Sequence, residues 1–201
     1  MKKSFVNLGK KKSSGGGSYG DYFVLNKKNK IGLKTLCSSW SSQRIFNCYS
    51  NFLKNVVGTY WYSCWHDVIM PMVGEYAVMA WLSKFNIPKA YELTWVKRGN
   101  KWTVGIVMSH IVGKTFCQSR ISHRELRVLE NSLTQRIRKS GIYISDWHND
   151  NAMVEESTGK YYRIDLGLFE FKNMNKAQLK MFRMFVESLY IELMEKFPDK
   201  A

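Results

Sequence analysis

The sequence lacks several features that would assign it to a familiar class of protein. Its 201 residues include no apolar run of about 18 residues, so no segment is predicted to span a bilayer. The basic residues at the start of the chain have no apolar stretch behind them, which argues against a secretory signal. No internal repeat is visible. We therefore expect a soluble protein of the cytoplasm.

Paired cysteines are also missing. Cys37, Cys48, Cys64 and Cys117 form no C-x-x-C pair, and Cys64 with the nearby His66 lacks a second pair of ligands. A zinc site is therefore disfavoured. In an intracellular chain, four scattered thiols are predicted to be reduced and packed in the interior.

Acidic residues are scarce in the first third of the chain. Before Asp67, the single acid Asp21 stands against ten Lys and Arg44, so this region carries +10 of the total formal charge of +15. Such an excess fits phosphate contacts to a nucleic acid. It fits a solvated basic arm equally well. The 45% content of hydrophobic residues excludes wholesale disorder.

Hydrophobic periodicity predicts strands and helices in mixed order. The predicted strands are 21–25, 30–36, 91–97, 101–111, 142–144, 152–154 and 161–164, and the predicted helices are 42–56, 74–85, 124–139 and 176–197. Residues 1–14 supply no convincing strand and are predicted to form a basic, flexible arm.

This order of elements predicts an α+β fold with two lobes. The N-terminal lobe, a small antiparallel sheet with one helix, would span residues 15–108 and contain an insertion at 37–70. A connecting segment at 109–114 would lead into a reduced helical lobe at 115–201. Ligands tend to bind in the cleft between two such lobes.

A glycine-rich segment precedes the first predicted hairpin. Residues 15–20 fit G-x-G-x-x-G through Gly15, Gly17 and Gly20. A linker produces the same pattern easily, and a dinucleotide-binding fold would place a strand before these glycines and a helix after them. Between two antiparallel strands, glycines can instead cover nucleotide phosphates as in kinases, and Lys34 in the returning strand is placed to reach those phosphates.

Carboxylates and an amide stand at characteristic spacing in the second half of the chain. Four residues separate Asp146 from Asn151, and Asp165 follows behind a predicted strand. Phosphoryl transfer needs a carboxylate near the attacking hydroxyl and oxygen ligands for magnesium. Because Asp and Asn also make ordinary turns, the prediction depends on the ordered set of motifs and not on this spacing alone.

The ordered set resembles the protein-kinase-like superfamily over about residues 15–170. The set is, in chain order, the glycine-rich loop, Lys34, Glu75, a connecting segment, Asp146, Asn151 and Asp165. With His148 inside it, the pattern Asp-x-His-x-x-Asn looks most like atypical members of the superfamily. These are phage-encoded and bacterial-effector kinases, antibiotic and sugar kinases, and the RIO type, so the host cytoplasm is one implied location.

The resemblance implies roles for residues of the N-terminal lobe. Lys34 would contact the α- and β-phosphates of ATP and pair with Glu75 on the first turn of a helix. The glycine-rich loop would cover the phosphates. Because 41 positions separate Lys34 from Glu75, the region 37–70 would be an insertion, and Asp67 is the alternative partner of the lysine.

The resemblance also implies roles beyond that lobe. Asp146 would orient or deprotonate the acceptor hydroxyl, and Asn151 and Asp165 would hold Mg²⁺. Met108 and His110 would belong to the hinge, where backbone groups meet adenine.

Three departures from the family pattern restrict what the resemblance implies. Ile144 stands where eukaryotic kinases place a histidine, and Leu166 replaces the usual Phe. The stretch after Gly167 has room for one long helix and for no full activation segment or peptide-docking subdomain. The family pattern therefore predicts nucleotide and metal binding more directly than it predicts an acceptor.

The sequence leads to one preferred function and two alternatives. The preferred function is an ATP- and Mg²⁺-dependent phosphotransferase that acts on Ser or Thr of a protein, with an acidic partner docked on the basic N-terminal region. One alternative is a kinase of a small molecule such as a sugar or an aminoglycoside. The other is a non-catalytic protein, either a pseudokinase or a basic nucleic-acid binder whose tryptophans stack on bases.

Overall fold

A computed structural model describes residues 5–16, 20–36, 69–119, 122–144, 149–166 and 169–196. The predicted helix 42–56 and most of the predicted insertion 37–70 lie outside these residues. Cys64 and His66 lie outside them as well. None of the helices in the described part of the chain combines the length and the hydropathy of a membrane span.

The described residues form eleven strands and three α-helices. The strands are β1 (Phe5–Asn7), β2 (Gly15–Gly16), β3 (Gly20–Asn26), β4 (Ile31–Leu36), β5 (Ala90–Arg98), β6 (Lys101–Ser109), β7 (Gly113–Thr115), β8 (Ile142–Ile144), β9 (Ala152–Glu155), β10 (Tyr161–Arg163) and β11 (Phe169–Phe171). The helices are α1 (Met70–Trp81), α2 (His123–Lys139) and α3 (Lys176–Glu195).

A six-stranded sheet forms the first half of the fold. Its strand order is β1-β5-β6-β4-β3-β2, and every neighbouring pair is antiparallel except β1 with β5. The strand β4 lies inside this sheet, between β3 and β6. Helices and two small sheets follow, so the predicted α+β class, with a sheet-rich N-terminal lobe, is confirmed.

The N-terminal arm differs from the prediction. Phe5–Asn7 forms the edge strand β1, which pairs in parallel with Trp95–Lys97 of β5. Leu8 is buried and packs with Phe23 and other core side chains beneath the sheet. The prediction of a wholly flexible arm over residues 1–14 is therefore wrong for this segment. Three residues are too few for a recognisable alternation of apolar and polar positions.

Helix α1 begins and ends about four residues earlier than the predicted helix 74–85. Pro71 lies in its first turn, where the backbone N–H that proline lacks would have no partner inside the helix. The following Met72 and Val73 are fully buried, so the helix is apolar around most of its circumference and shows no clear periodicity at its start. Turns after Trp81 bring the buried Leu82 into the core.

The two later helices start with reciprocal side-chain caps. Ser122 and Glu125 form a capping box at the start of α2, and Asn175 and Gln178 form one at the start of α3. Each box satisfies backbone N–H groups that have no partner inside the helix. These boundaries confirm the predicted helices 124–139 and 176–197 to within two residues over the part that is described.

Helix α3 returns to the N-terminal half of the fold. It packs against α1 and β5, and the indole N–H of Trp95 donates to the carbonyl of Leu193 over 2.8 Å. Phe182 is fully buried between the rings of Trp81 and Phe171. The end of the chain therefore supports the helix that carries Glu75.

Candidate active site

Lys34 stands in the middle of β4, with its ammonium at the junction of three elements. Alternation along the strand buries the neighbouring Leu33 on one face and turns Lys34 to the other face. The Lys34 Nζ lies 2.6 Å from Glu75 Oε1 and 2.9 Å from Asp165 Oδ1. The structure thus brings together one residue of the sheet, one of α1 and one of the loop after β10.

Glu75 lies on α1 and is 1% exposed. Burial raises the pKa of its carboxyl, and Lys34 opposes that rise by favouring the charged form. The nearby Asp165 raises the pKa further because two negative charges repel each other. The ammonium of Lys34 therefore holds together two carboxylates that would otherwise repel.

Asp165 occupies a loop that is tied to a second loop. The backbone N–H of the preceding Ile164 donates to the carbonyl of Asn151 over 3.0 Å. Asn151 ends a short 3₁₀ turn at 149–151 and is buried. The two residues predicted to hold magnesium consequently lie on adjacent, hydrogen-bonded segments.

The chemistry of these side chains fits Mg²⁺. A carboxylate and a side-chain amide supply hard oxygen atoms, which Mg²⁺ prefers, and this ion usually takes few protein ligands and completes its shell with phosphate oxygens and water. Asp165 is also the more exposed carboxylate of the Lys34 pair, at 25% against 1% for Glu75. Within the described ranges, no three His, Cys, Asp or Glu side chains form a cluster that could hold a metal ion.

The glycine-rich segment is part of the sheet. Gly15 pairs with Tyr22, and Gly16 pairs with Asp21, so β2 and β3 form an antiparallel hairpin. Gly20 lies close to Lys34, because a Cβ at Gly20 would come 3.3 Å from the Lys34 Cε. Gly17 lies outside the described residues, and the roles of these glycines stay predictions.

The predicted hinge lies where β6 leaves the sheet. Met108 is still within β6, opposite Gly32, and its side chain is buried in the core. The backbone N–H of His110 donates to the carbonyl of Lys30 over 2.7 Å, which fixes the segment against the turn between β3 and β4. The contacts of Met108 and His110 with adenine stay predictions.

Tyr22 lies beside Lys34, and sequence reasoning did not single it out. It lies directly opposite Lys34 in the β3–β4 ladder, and directly opposed residues share one face of a sheet. Its hydroxyl lies 3.0 Å from His110 Nδ1. A Cβ on Gly32 would overlap that hydroxyl, so the tyrosine ring lies across the bare backbone of Gly32. The sequence does contain a signal for this contact: on the two predicted strands, a tyrosine at position 22 is followed by a glycine at 32 and a lysine at 34.

The microenvironment keeps both members of the Tyr22–His110 contact neutral. Burial raises the pKa of Tyr22 to about 12. Burial also lowers the pKa of His110, with further contributions from the positive charges of Lys27 and Lys30. One face of the β3–β4 hairpin therefore carries a cation at one end and a neutral aromatic contact at the other.

One central prediction cannot be placed. Asp146, the predicted acceptor-orienting residue, lies outside the described residues, and so does His148. The strand β8 that precedes them pairs with β11, and Asn151 follows them in the buried 3₁₀ turn. The role of Asp146 stays a prediction from the sequence.

Comparisons with known proteins give a distant structural likeness. No protein-family model and no curated protein matches the chain. Among solved structures, 251 chains match, and one of them is the crystal structure of the Rio2 kinase-ADP/Mg²⁺-phosphoaspartate complex from Chaetomium thermophilum. The likeness has a TM-score of 0.48 at 14% identity and covers 93% of this chain and 56% of that one. The chain thus spans little more than half the length of that protein, and the function proposed below depends on the chain's own site and motifs.

Proposed function

We propose that the chain is an ATP- and Mg²⁺-dependent phosphotransferase that acts on Ser or Thr hydroxyls of a protein. The observation that carries the proposal is the position of Lys34, whose ammonium contacts both Glu75 and Asp165. A cation on a sheet strand, a buried carboxylate that orients it and a metal-binding carboxylate beside it are the parts that position nucleotide phosphates.

Lys34, Glu75 and Asp165 form the Lys34 triad. Each of the three has a distinct task in the proposal. Glu75 holds the Lys34 ammonium in place from the buried side. Lys34 contacts the α- and β-phosphates. Asp165, with Asn151 on the adjoining loop, holds Mg²⁺. The ion, when bound, neutralises charge on the phosphate oxygens. Catalysis then comes from positioning and from fixed charges, since phosphoryl transfer asks little covalent work of the protein.

The acceptor in the proposal is inferred from the sequence alone. Asp146, five residues before Asn151, would accept a hydrogen bond from the acceptor hydroxyl and orient it toward the γ-phosphate. The α+β architecture and the tied loops of Asn151 and Asp165 support a site of this composition. A Ser or Thr hydroxyl on a protein is the acceptor that we propose.

Transfer from labelled ATP tests the proposal. Incubation of the chain with γ-labelled ATP, Mg²⁺ and a generic protein acceptor should label protein. Asp146→Ala and Asp165→Ala should each reduce the rate by at least about a hundredfold. Asp150→Ala is the matched control, because Asp150 is an exposed carboxylate in the same loop, and it should transfer at the wild-type rate.

Two results would overturn the proposal in different ways. Transfer that survives both Asp146→Ala and Asp165→Ala would contradict the site. Turnover of a sugar or an aminoglycoside without any protein labelling would contradict the protein acceptor and support the small-molecule alternative. Intact-mass measurement of the chain shows whether the chain itself has been phosphorylated.

A further inference from the structure

A concave site lies at the predicted hinge, and none of Lys34, Glu75 and Asp165 lines it. This hinge pocket has a volume of about 500 Å³, within the usual range for ligand sites. Its walls are the β3–β4 turn with Lys28 and Lys30, the residues after α1 with Lys89, the segment 109–111, and the β9–β10 hairpin with Lys160. It therefore joins the two halves of the fold at the predicted hinge.

The hinge pocket is strongly basic. Four lysines line it, at positions 28, 30, 89 and 160, against the single carboxylate of Glu155. Lys30 pairs with that carboxylate over 3.1 Å. Within the described residues, no carboxylate lies within salt-bridge distance of Lys28, Lys89 or Lys160, and Lys160 acts on Glu155 only through its charge at longer range. Three ammonium groups around one cavity repel one another and favour an anionic ligand.

Aromatic rings hold two of these ammonium groups at the pocket wall. The Lys89 Nζ lies 5.6 Å from the ring centroid of Tyr91, and the Lys160 Nζ lies 5.8 Å from that of Tyr162. Both tyrosines line the pocket. Such cation–π contacts restrict long, flexible lysines. The two charges therefore have defined positions on the pocket wall, one from each half of the fold.

The carboxylate of Glu155 indicates which kind of anion fits. Hydrogen bonds from Thr158 and Lys30 lower the pKa of Glu155, so it is ionised at neutral pH. A phosphodiester backbone offers acceptors only, so it has no donor for this carboxylate. A peptide carries backbone N–H donors as well as side-chain carboxylates, so it can satisfy both the lysines and Glu155.

We propose that the hinge pocket docks an acidic segment of a protein partner. Two or more Asp or Glu side chains of that segment pair with Lys89, Lys160 and Lys28, while its backbone N–H groups face Glu155. As the docking site of a protein substrate, the pocket rests on the proposed function. As a binding site for acidic peptide, it is tested on its own.

Peptide binding with charge-reversed lysines tests this pocket. The probe is a fluorescein-labelled, Glu-rich peptide, and its control is the same peptide with Gln in place of Glu. Anisotropy at about 0.15 M salt, where long-range effects of net charge are screened, should show binding of the Glu peptide only. The double variant Lys89→Glu/Lys160→Glu should weaken that binding by about tenfold or more.

A second double variant separates the pocket from net charge. Lys101→Glu/Lys180→Glu changes the total charge equally at two exposed positions away from the pocket, and it should weaken binding by less than about twofold. Equal losses in both double variants would overturn the proposal. Equal binding of the Gln peptide would do the same, as would a single-stranded RNA that binds more tightly than the peptide and is lost in the Lys89/Lys160 variant.

ATP binding by the same proteins distinguishes a failure of docking from a failure of the proposed function. The Lys89→Glu/Lys160→Glu variant should bind ATP with Mg²⁺ as the wild type does, because neither lysine contacts the triad. A wild type that binds the Glu peptide but no ATP would contradict the proposed phosphotransferase and still support the docking site. A wild type that binds ATP but no Glu peptide would contradict the docking site alone.

Discussion

At the scale of single residues, Lys34 joins two carboxylates with different surroundings. Glu75 is buried inside the fold, whereas Asp165 is partly open to solvent. A buried charge that loses its partner is costly, whereas replacement of the whole pair by apolar side chains is often neutral or stabilising. Stability and function can therefore be separated by different substitutions at this one site.

Substitution of the lysine should destabilise the fold through Glu75. We expect Lys34→Met to lower the free energy of unfolding by about 3 kcal/mol at neutral pH, because it leaves a buried carboxylate without a cation. The double variant Lys34→Met/Glu75→Leu should regain most of that loss, yet it should not transfer phosphate. Urea denaturation measures the first effect, and labelled ATP measures the second. A double variant as unstable as the single one would contradict the pairing.

The deficit of Lys34→Met should depend on pH. Without Lys34, the attraction that lowers the pKa of Glu75 is gone, so burial holds that pKa further above its ordinary 4.5. When folding raises the pKa of an acid, the folded state loses stability as pH rises from the unfolded-state pKa towards the folded-state pKa. The variant should therefore approach wild-type stability on acidification and fall behind as pH rises. A deficit that grows on acidification would contradict this assignment.

His110 offers a second test at this scale. Because folding lowers the pKa of His110, the unfolded chain binds the proton more readily. Stability from this group is present above about pH 6.5 and is lost as pH falls below that value. NMR titration should place the His110 pKa below 6.5, and His110→Gln should remove this part of the acid slope. A pKa at or above 6.5 would contradict the buried contact with Tyr22.

At the scale of elements, the β3–β4 hairpin accommodates the ring of Tyr22 because residue 32 is a glycine. A side chain at Gly32 would overlap the Tyr22 hydroxyl. We expect Gly32→Ala to cost about 1–3 kcal/mol of unfolding free energy because the ring must be displaced. In a Tyr22→Ala background, the same substitution should cost much less. A double-mutant cycle measures this coupling, and additive effects would contradict the contact.

Helix α3 holds α1 in place through one aromatic side chain. Phe182 is fully buried against Trp81 and Phe171. Phe182→Ala should lower the unfolding free energy by about 3–5 kcal/mol. The neighbouring Met181 is 62% exposed, so Met181→Ala is the control and should change stability by less than about 0.5 kcal/mol. Similar losses in the two variants would contradict the packing.

Sequence patterns predicted elements where periodicity is strong and missed them where it is weak. Helices α2 and α3 are amphipathic, and their apolar stripes predict their bounds closely. The capping pairs at their starts were not singled out from the sequence. The start of α1 was missed because Met70–Val73 is buried on every side. The edge strand β1 was missed because its three residues reveal no alternation.

At the scale of the whole molecule, the contacts of Lys34 join distant parts of the chain. Lys34 and Glu75 are 41 positions apart, and Lys34 and Asp165 are 131 apart. Motif order suggested Glu75 as the partner of Lys34, whereas the contact with Asp165 was not predicted, because no local pattern predicts contacts over such separations. The contact between Tyr22 and His110 depends on strand register and on the bare backbone at Gly32, which composition does not reveal. Charge suggested a phosphate ligand or a basic docking surface, and only the fold separates the Lys34 triad from the lysines of the hinge pocket.

ATP binding measured by calorimetry with and without Mg²⁺ tests the central claim most directly. The wild type should bind ATP saturably and more tightly with the ion. Asp165→Asn, which leaves Lys34 paired with Glu75, should bind ATP with little response to Mg²⁺. A wild type that binds no ATP, or an Asp165→Asn variant with the full magnesium effect, would contradict a phosphate and metal site at the Lys34 triad.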